Sequence, residues 1–241
     1  MKNIKIVIGI LCLTICILLL SCQGQPDTST IPYNGLTSIG EFAKAMGGLK
    51  GNGTILIQSN DYIVSQDNPQ QVDISERLGR PNAIKFFDAN KQPINILNKD
   101  KSFGAALYGQ KLNYSILNEP TKSLYIPNLL KVKFDGSELK KDLTLTWNKD
   151  DLNYKGLIIL ITYKPTNQYY IIAKDNMDFM THGFITADTG SYTFTATDFA
   201  RFPDKSQVTI NIFRTNYVIN DQSKPSLVAF TTIAHDFIVK K

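Results

Sequence analysis

Chemistry in this 241-residue chain has few places to reside. There are two histidines, His182 and His235, and three cysteines, Cys12, Cys16 and Cys22, all in the first 22 residues. A body without cysteine excludes a catalytic thiol, a disulfide scaffold and a Cys-ligated zinc or iron–sulfur centre there. A Ser-His-Asp hydrolase needs a histidine base oriented by an acid, and the GxSxG elbow that would present its nucleophile is absent from the sequence. His182 lies in Thr181-His182-Gly183, which reads as a turn, and His235 adjoins Asp236, so both are expected as loop or surface histidines. The HExxH spacing of a metalloprotease is missing too. Glycoside hydrolysis needs two carboxylates across the scissile bond, but Glu41, Glu76, Glu119 and Glu138 fall in polar or turn contexts, and the aspartates mostly adjoin Asn, Lys or Gly. No catalytic motif is found, and the expectation is a protein that is not an enzyme.

Binding chemistry is better supplied. Asp150 and Asp151 in Asn148-Lys149-Asp150-Asp151-Leu152-Asn153, and Asp175 and Asp178 in Asp175-Asn176-Met177-Asp178, cluster the oxygen ligands that Ca²⁺ takes from loops. They lack the glycine and terminal glutamate of an EF-hand and read first as solvated turns. Tyr163, Tyr169 and Tyr170 offer flat rings on which a glycan would stack, against the ordinary alternative that strand tyrosines face the core. The glycine-rich stretch Gly47-Gly48-Leu49-Lys50-Gly51-Asn52-Gly53 follows a helical pattern instead of preceding one, so it is a helix stop and not a phosphate loop. Lys131, Lys133, Lys140 and Lys141 read as charges that block strand edges.

The first residues are an address. Lys2 and Lys5 precede an uncharged run from Ile6 to Leu20, too short to span a hydrocarbon core of ~30 Å as a helix rising ~1.5 Å per residue. Charge followed by a short apolar run is the pattern of a secretory signal peptide. An Ala-x-Ala cleavage site is impossible here because the first alanine is Ala43, and the run ends instead in Leu19-Leu20-Ser21-Cys22. These four residues resemble a bacterial lipobox, with Leu19 at −3, Ser21 at −1 and Cys22 as the obligatory cysteine; Leu20 at −2 departs from the commoner residue there. The resemblance implies a lipoprotein signal peptide over 1–21, a diacylglyceryl group on the Cys22 thiol, cleavage before Cys22 and acylation of its amine. It implies a cell-envelope protein held to a membrane by lipid, with Gln23 at +2 not forcing inner-membrane retention and the outer membrane favoured. Export removes Lys2 and Lys5 from the formal charge of +5, leaving an ordinary surplus and no expectation of a nucleic-acid partner.

The elements that must position these groups are set by periodicity. Residues 22–36, rich in Gln, Ser, Thr and Pro, read as a flexible tether. Ser38 and Glu41 form a capping-box pattern, and Ile39, Phe42, Ala43 and Met46 share one face of a short helix ended by Gly47-Gly48. Beyond it the period switches to two, as in Leu143-Thr144-Leu145-Thr146-Trp147, with Gly156–Tyr163, Ser191–Ala196, Val208–Arg214 and Leu227–Val239 among further strands. No helix long enough for a βαβ crossover intervenes, which argues against a parallel sheet, so the chain is expected to be mainly antiparallel β. The fold class expected is mainly β, with a smaller β-rich N-terminal domain and one short helix over 37–122, and a second domain over 123–241.

The second half resembles a fibronectin-III or immunoglobulin-like β-sandwich. The resembling residues are Leu143–Trp147 as a B-like strand carrying the core Trp, Gly156–Tyr163 as a C-like strand, and Phe199-Ala200-Arg201-Phe202-Pro203 leading into Val208–Arg214 as an E–F corner and F strand. The family's corner tyrosine would fall near Val208, so its hydrogen bond is missing. This fold hosts many functions. The expectation is a lipid-anchored, non-enzymatic binding or structural module recognising an envelope protein or glycan. The alternative is an envelope hydrolase with a site assembled from scattered residues, which a deep pocket gathering acids, or His182 with an acid, would favour.

Overall fold

A computed structural model describes residues 37–47, 54–61, 72–77, 84–88, 90–94, 107–116, 119–163, 181–219 and 226–241. The signal peptide, Cys22, the tether, Tyr169, Tyr170, Asp175 and Asp178 lie outside the described residues. The chain is mainly β, with antiparallel sheets and one α-helix among the described residues.

The largest sheet is built on β13 (Gln207–Val218) and β14 (Ser226–Val239), long antiparallel neighbours. Next to β13 lie β10 (Leu157–Tyr163) and β11 (Thr181–Thr186), while beyond β14 come β1 (Thr54–Asp61) and β2 (Val72–Arg77). Within these mainly antiparallel sheets two pairings are parallel: β1 runs alongside β14, from Thr54↔Ser226 to Asp61↔Ile233, and the short β8 (Glu138–Leu139) also pairs β14 in parallel. A parallel pair needs only a long connection, and most of the chain lies between β1 and β14. The same pairing crosses the division expected between residues 122 and 123, because β1 comes from the first part and β14 from the second.

Period-two patterning decides which core each side chain enters. In β10, Leu157, Ile159 and Ile161 face one core while Ile158 and Leu160 face another. In β13, Val208, Ile210 and Ile212 join the first, and Phe213 and Tyr217 the second. The first core is shared with a three-stranded sheet of β7 (Val132–Lys133), β9 (Thr144–Trp147) and β12 (Ser191–Thr193), which supplies Val132, Leu145 and Trp147. A four-stranded sheet of β3 (Ile84–Phe87), β4 (Pro93–Ile94), β5 (Lys111–Ile116) and β6 (Lys122–Tyr125) packs Ile84, Phe86, Leu112, Tyr114 and Leu124 against Leu227 and Ala229 of β14. The second core lies beneath helix α1 (Ile39–Gly47), where Phe42 meets Phe213, Tyr217 and Phe230 at ring-centroid distances of 5.9, 6.2 and 5.9 Å.

Several local expectations change. Thr181-His182-Gly183 is strand, not turn, since His182 pairs Ile161 and Gly183 pairs Leu160. A Cβ on Gly183 would lie 2.7 Å from Leu160 Cδ2 and 2.9 Å from Ile39 Cδ1, so this glycine lets α1 approach the sheet. Residues 107–110 form a turn with Gly109 at φ +75. Ser191–Ala196 is strand only to Thr193, because Asp198 accepts the Thr195 N–H at 2.7 Å and starts a 3-10 turn over Ala196–Phe199. The Ser38–Glu41 capping box is half made: Ser38 Oγ accepts the Glu41 N–H at 3.0 Å, whereas the Glu41 carboxylate accepts the Tyr217 hydroxyl at 2.9 Å.

Candidate functional site

Several of the buried polar side chains meet around Arg214. Arg214, fully buried in β13, pairs in register with Leu157, the first residue after the loop that leaves β9. Its Nε donates to Asp188 Oδ2 at 2.8 Å and its Nη2 to Asp188 Oδ1 at 3.0 Å, a bidentate ion pair. The remaining donors reach backbone carbonyls of Asn128 at 3.1 Å, Leu129 at 3.4 Å, and Asn148. Asp188 also accepts from Trp147 Nε1 at 2.9 Å and Asn153 Nδ2 at 3.0 Å. A charge pair moved out of water is tolerable only when its hydrogen-bonding capacity is taken up in this way.

The network continues outward. Asp150, expected among the calcium candidates, is buried; its Oδ1 accepts the Tyr125 hydroxyl at 2.8 Å and the Leu152 N–H at 3.2 Å, and its Oδ2 accepts the Asn128 N–H at 2.8 Å. Burial first, and the hydrogen bond to Asp150 second, raise the Tyr125 hydroxyl pKa well above its ordinary value, so it donates throughout the physiological range. Asp151 is exposed and pairs with Lys149, so the two adjacent carboxylates serve different partners. No cluster of three or more His, Cys, Asp or Glu suited to a metal occurs among the described residues.

These bonds fix the root of the loop over 148–156. Asn148 exchanges bonds with Lys131, its N–H to Lys131 O at 3.2 Å and its Oδ1 from Lys131 N–H at 2.7 Å. Asn153 donates to Gly156 O at 2.8 Å, and Gly156 takes φ +73 to turn into β10. Lys155 O accepts the Thr37 N–H at 2.9 Å, just before α1 begins. The tip is the opposite case. Leu152 is 61% and Tyr154 59% exposed, and with Ile238 they are the large hydrophobic residues that stand exposed among the described residues. Lys155 Nζ lies 5.5 Å from the Tyr154 ring centroid and 4.8 Å from that of Tyr217.

The other expected residues are dispersed. Tyr163 ends β10 and packs against the first core, half-buried. His182 stands 5.8 Å from Phe184 and His235 stacks on Phe134 at 4.5 Å, at separate places on the large sheet. Asp198 acts electrostatically on His182, but its Oδ2 accepts from Tyr192 OH at 3.0 Å and from Thr195. A shallow pocket of about 200 Å³ is lined by Lys131, Val132, Lys133, Thr146, Trp147 and Asn148, and carries no acid. The exposure of Leu152 and Tyr154 is not readable from the sequence. Their one signal is positional: two large apolar residues among Asn, Lys and Asp in a segment too irregular for either period. The chain matches no protein-family model, and no curated protein matches it.

Proposed function

We propose that this is a lipid-anchored cell-envelope protein, attached through Cys22 and acting as a non-enzymatic binding or structural module whose contact surface is the loop over 148–156. The observation that carries the contact surface is the contrast within that loop. Its root is bonded into a buried ion pair, while its tip holds Leu152 and Tyr154 out to solvent. Single exposed hydrophobics are common on any surface; here two, Leu152 and Tyr154, lie two residues apart on a loop whose root is fixed, the kind of support a recognition site needs.

The fibronectin-III-like reading supports the same end of the molecule. In support of that reading, the order β12-β9-β7 in one sheet and the β11-β10-β13-β14 part of the large sheet, which continues to β1 and β2, match the E-B-A and C′-C-F-G orders such a sandwich would have. The loop over 148–156 is then the B–C loop, one of those used for binding at one end of immunoglobulin variable domains. Leu19-Leu20-Ser21-Cys22 supports the anchor, and two or three acyl chains make such attachment stable where one would be only marginal.

The anchor is tested by changing Cys22 to Ala and following processing and membrane fractionation. The variant is expected to stall as precursor or leave the membrane fraction; anchoring and processing identical to the parent would refute the lipidation.

A further inference from the structure

We infer that the partner of the loop over 148–156 is the membrane itself: the loop is a second, non-covalent membrane contact, inserting Leu152 and Tyr154 among lipid headgroups of the bilayer that holds Cys22. The inference rests on the lipid anchor proposed above. Its geometric basis is where the chain enters the folded body. The Thr37 N–H is hydrogen-bonded to Lys155 O, so the segment arriving from Cys22 joins the body at the foot of this loop. Fifteen residue steps separate Cys22 from Thr37, and however they are arranged they reach at most about 54 Å. The surface beside Thr37 is thus the part of the body reached by the shortest stretch of chain from the anchor.

The chemistry of that surface suits a lipid headgroup layer. Leu152 is an apolar wedge, and Tyr154 carries an apolar ring with a polar tip, the residue type that collects at membrane interfaces. Lys149 is exposed and pairs with Asp151, the exposed acid of the loop, Lys155 is partly exposed, and Lys131 stands exposed where it bonds Asn148 at the loop's root. Cations beside an apolar tip match anionic headgroups; each lysine close to such a surface multiplies the binding constant about fivefold. The fixed root suits insertion as well, because a tip that is already ordered loses little freedom when it enters the interface.

The test uses the full-length lipidated protein in vesicles. The only cysteine left after processing is Cys22, whose thiol is modified, so Leu152→Cys supplies a unique site for an environment-sensitive fluorophore. Asp204→Cys is the control, since Asp204 precedes the Gln207 end of β13, about 23 Å along the strand from Arg214, which pairs Leu157 beside the loop. In phosphatidylethanolamine–phosphatidylglycerol vesicles, the label at 152 is expected to shift to the blue and resist aqueous iodide, with the label at 204 unchanged. Tyr154→Asp should abolish the shift, and Lys149→Gln should lower the loop's occupancy constant about fivefold. Lipidation is scored separately by the mass of the N-terminal peptide. A lipidated chain whose 152 label stays quenchable and unshifted overturns the membrane contact and leaves the anchor standing. An unlipidated chain overturns both. A shift seen in native envelope fractions but absent from pure lipid vesicles also overturns the proposal, assigning the loop to a protein partner.

Discussion

Replacing Asp188 by Ala is the most informative single perturbation of this molecule. The carboxylate is buried and accepts four hydrogen bonds: two from Arg214 at 2.8 and 3.0 Å, one from Trp147 at 2.9 Å and one from Asn153 at 3.0 Å. Its removal leaves the guanidinium, which is 0% exposed, without a counter-charge. Breaking a buried pair from one side costs about 3–5 kcal/mol. The orphaned Trp147 N–H would cost about 1–3 kcal/mol by itself, but both losses occur in one site and do not sum, so the expected total is about 4 kcal/mol. Asp188→Asn, which keeps one acceptor oxygen, should lose less and keeps the comparison available if the Ala variant does not fold. Equilibrium urea unfolding followed by Trp147 fluorescence reads the effect directly, because Trp147 is the single tryptophan. In a double-mutant cycle with Arg214→Met, the two losses should be coupled by at least about 2 kcal/mol. An Asp188→Ala cost below about 1 kcal/mol, or strictly additive losses, would refute the reasoning. Amide exchange should also quicken at Asn153 and Gly156, since the bond from Asn153 to Asp188 is part of the loop's root.

Two further outcomes are expected from the same packing. Burial, and to a lesser degree the charge of Arg201, hold the His182 pKa below its ordinary 6.5. The unfolded chain therefore binds a proton at higher pH than the folded one, and stability falls as pH drops from about 6.5 toward the folded value. His182→Gln should flatten the dependence of Tm on pH in that window, and an unchanged slope would exclude His182 as its source. Gly183→Ala should lower stability by about 1–3 kcal/mol, because the new methyl must displace Leu160 and Ile39. Unaltered urea midpoints would show that α1 does not press on the sheet there.

Whether a feature is legible in the sequence depends on the kind of interaction that sets it. The Leu143–Trp147 segment is readable because one face of it is buried and the other is not: Leu145 and Trp147 point into the core and Thr146 outward. The helix is readable from its cap and its apolar face, although Glu41 bonds to Tyr217, a partner 176 residues away that no local pattern reveals. Strand Val72–Arg77 escapes pattern reading because its sequence, VDISER, is half charged, and the parallel partnership of β1 with β14 is wholly non-local. Gly183 misleads for a physical reason. Glycine signals a turn far more often than it signals a helix crossing close above a strand. Arg214 gives no sign either, since its polar partners come from residues 128–129, 148 and 188, which only the fold brings together.

Stability alone does not account for the Arg214–Asp188 pair, because well-packed apolar residues of similar volume commonly serve a buried position at least as well. What such residues lack is direction. A guanidinium has five donors in a fixed plane, and here they reach Asp188 and the carbonyls of Asn128, Leu129 and Asn148. The carboxylate returns to Trp147 and Asn153, on either side of the loop tip. Together they register three connecting segments against β13 at the end of the molecule where Thr37 meets Lys155. A loop serving only to join β9 to β10 requires neither that registration nor two exposed apolar residues at its tip. Both features are explained at once if the tip must be held still while it touches something, and the same rigidity makes its contact with a bilayer measurable at a single labelled residue.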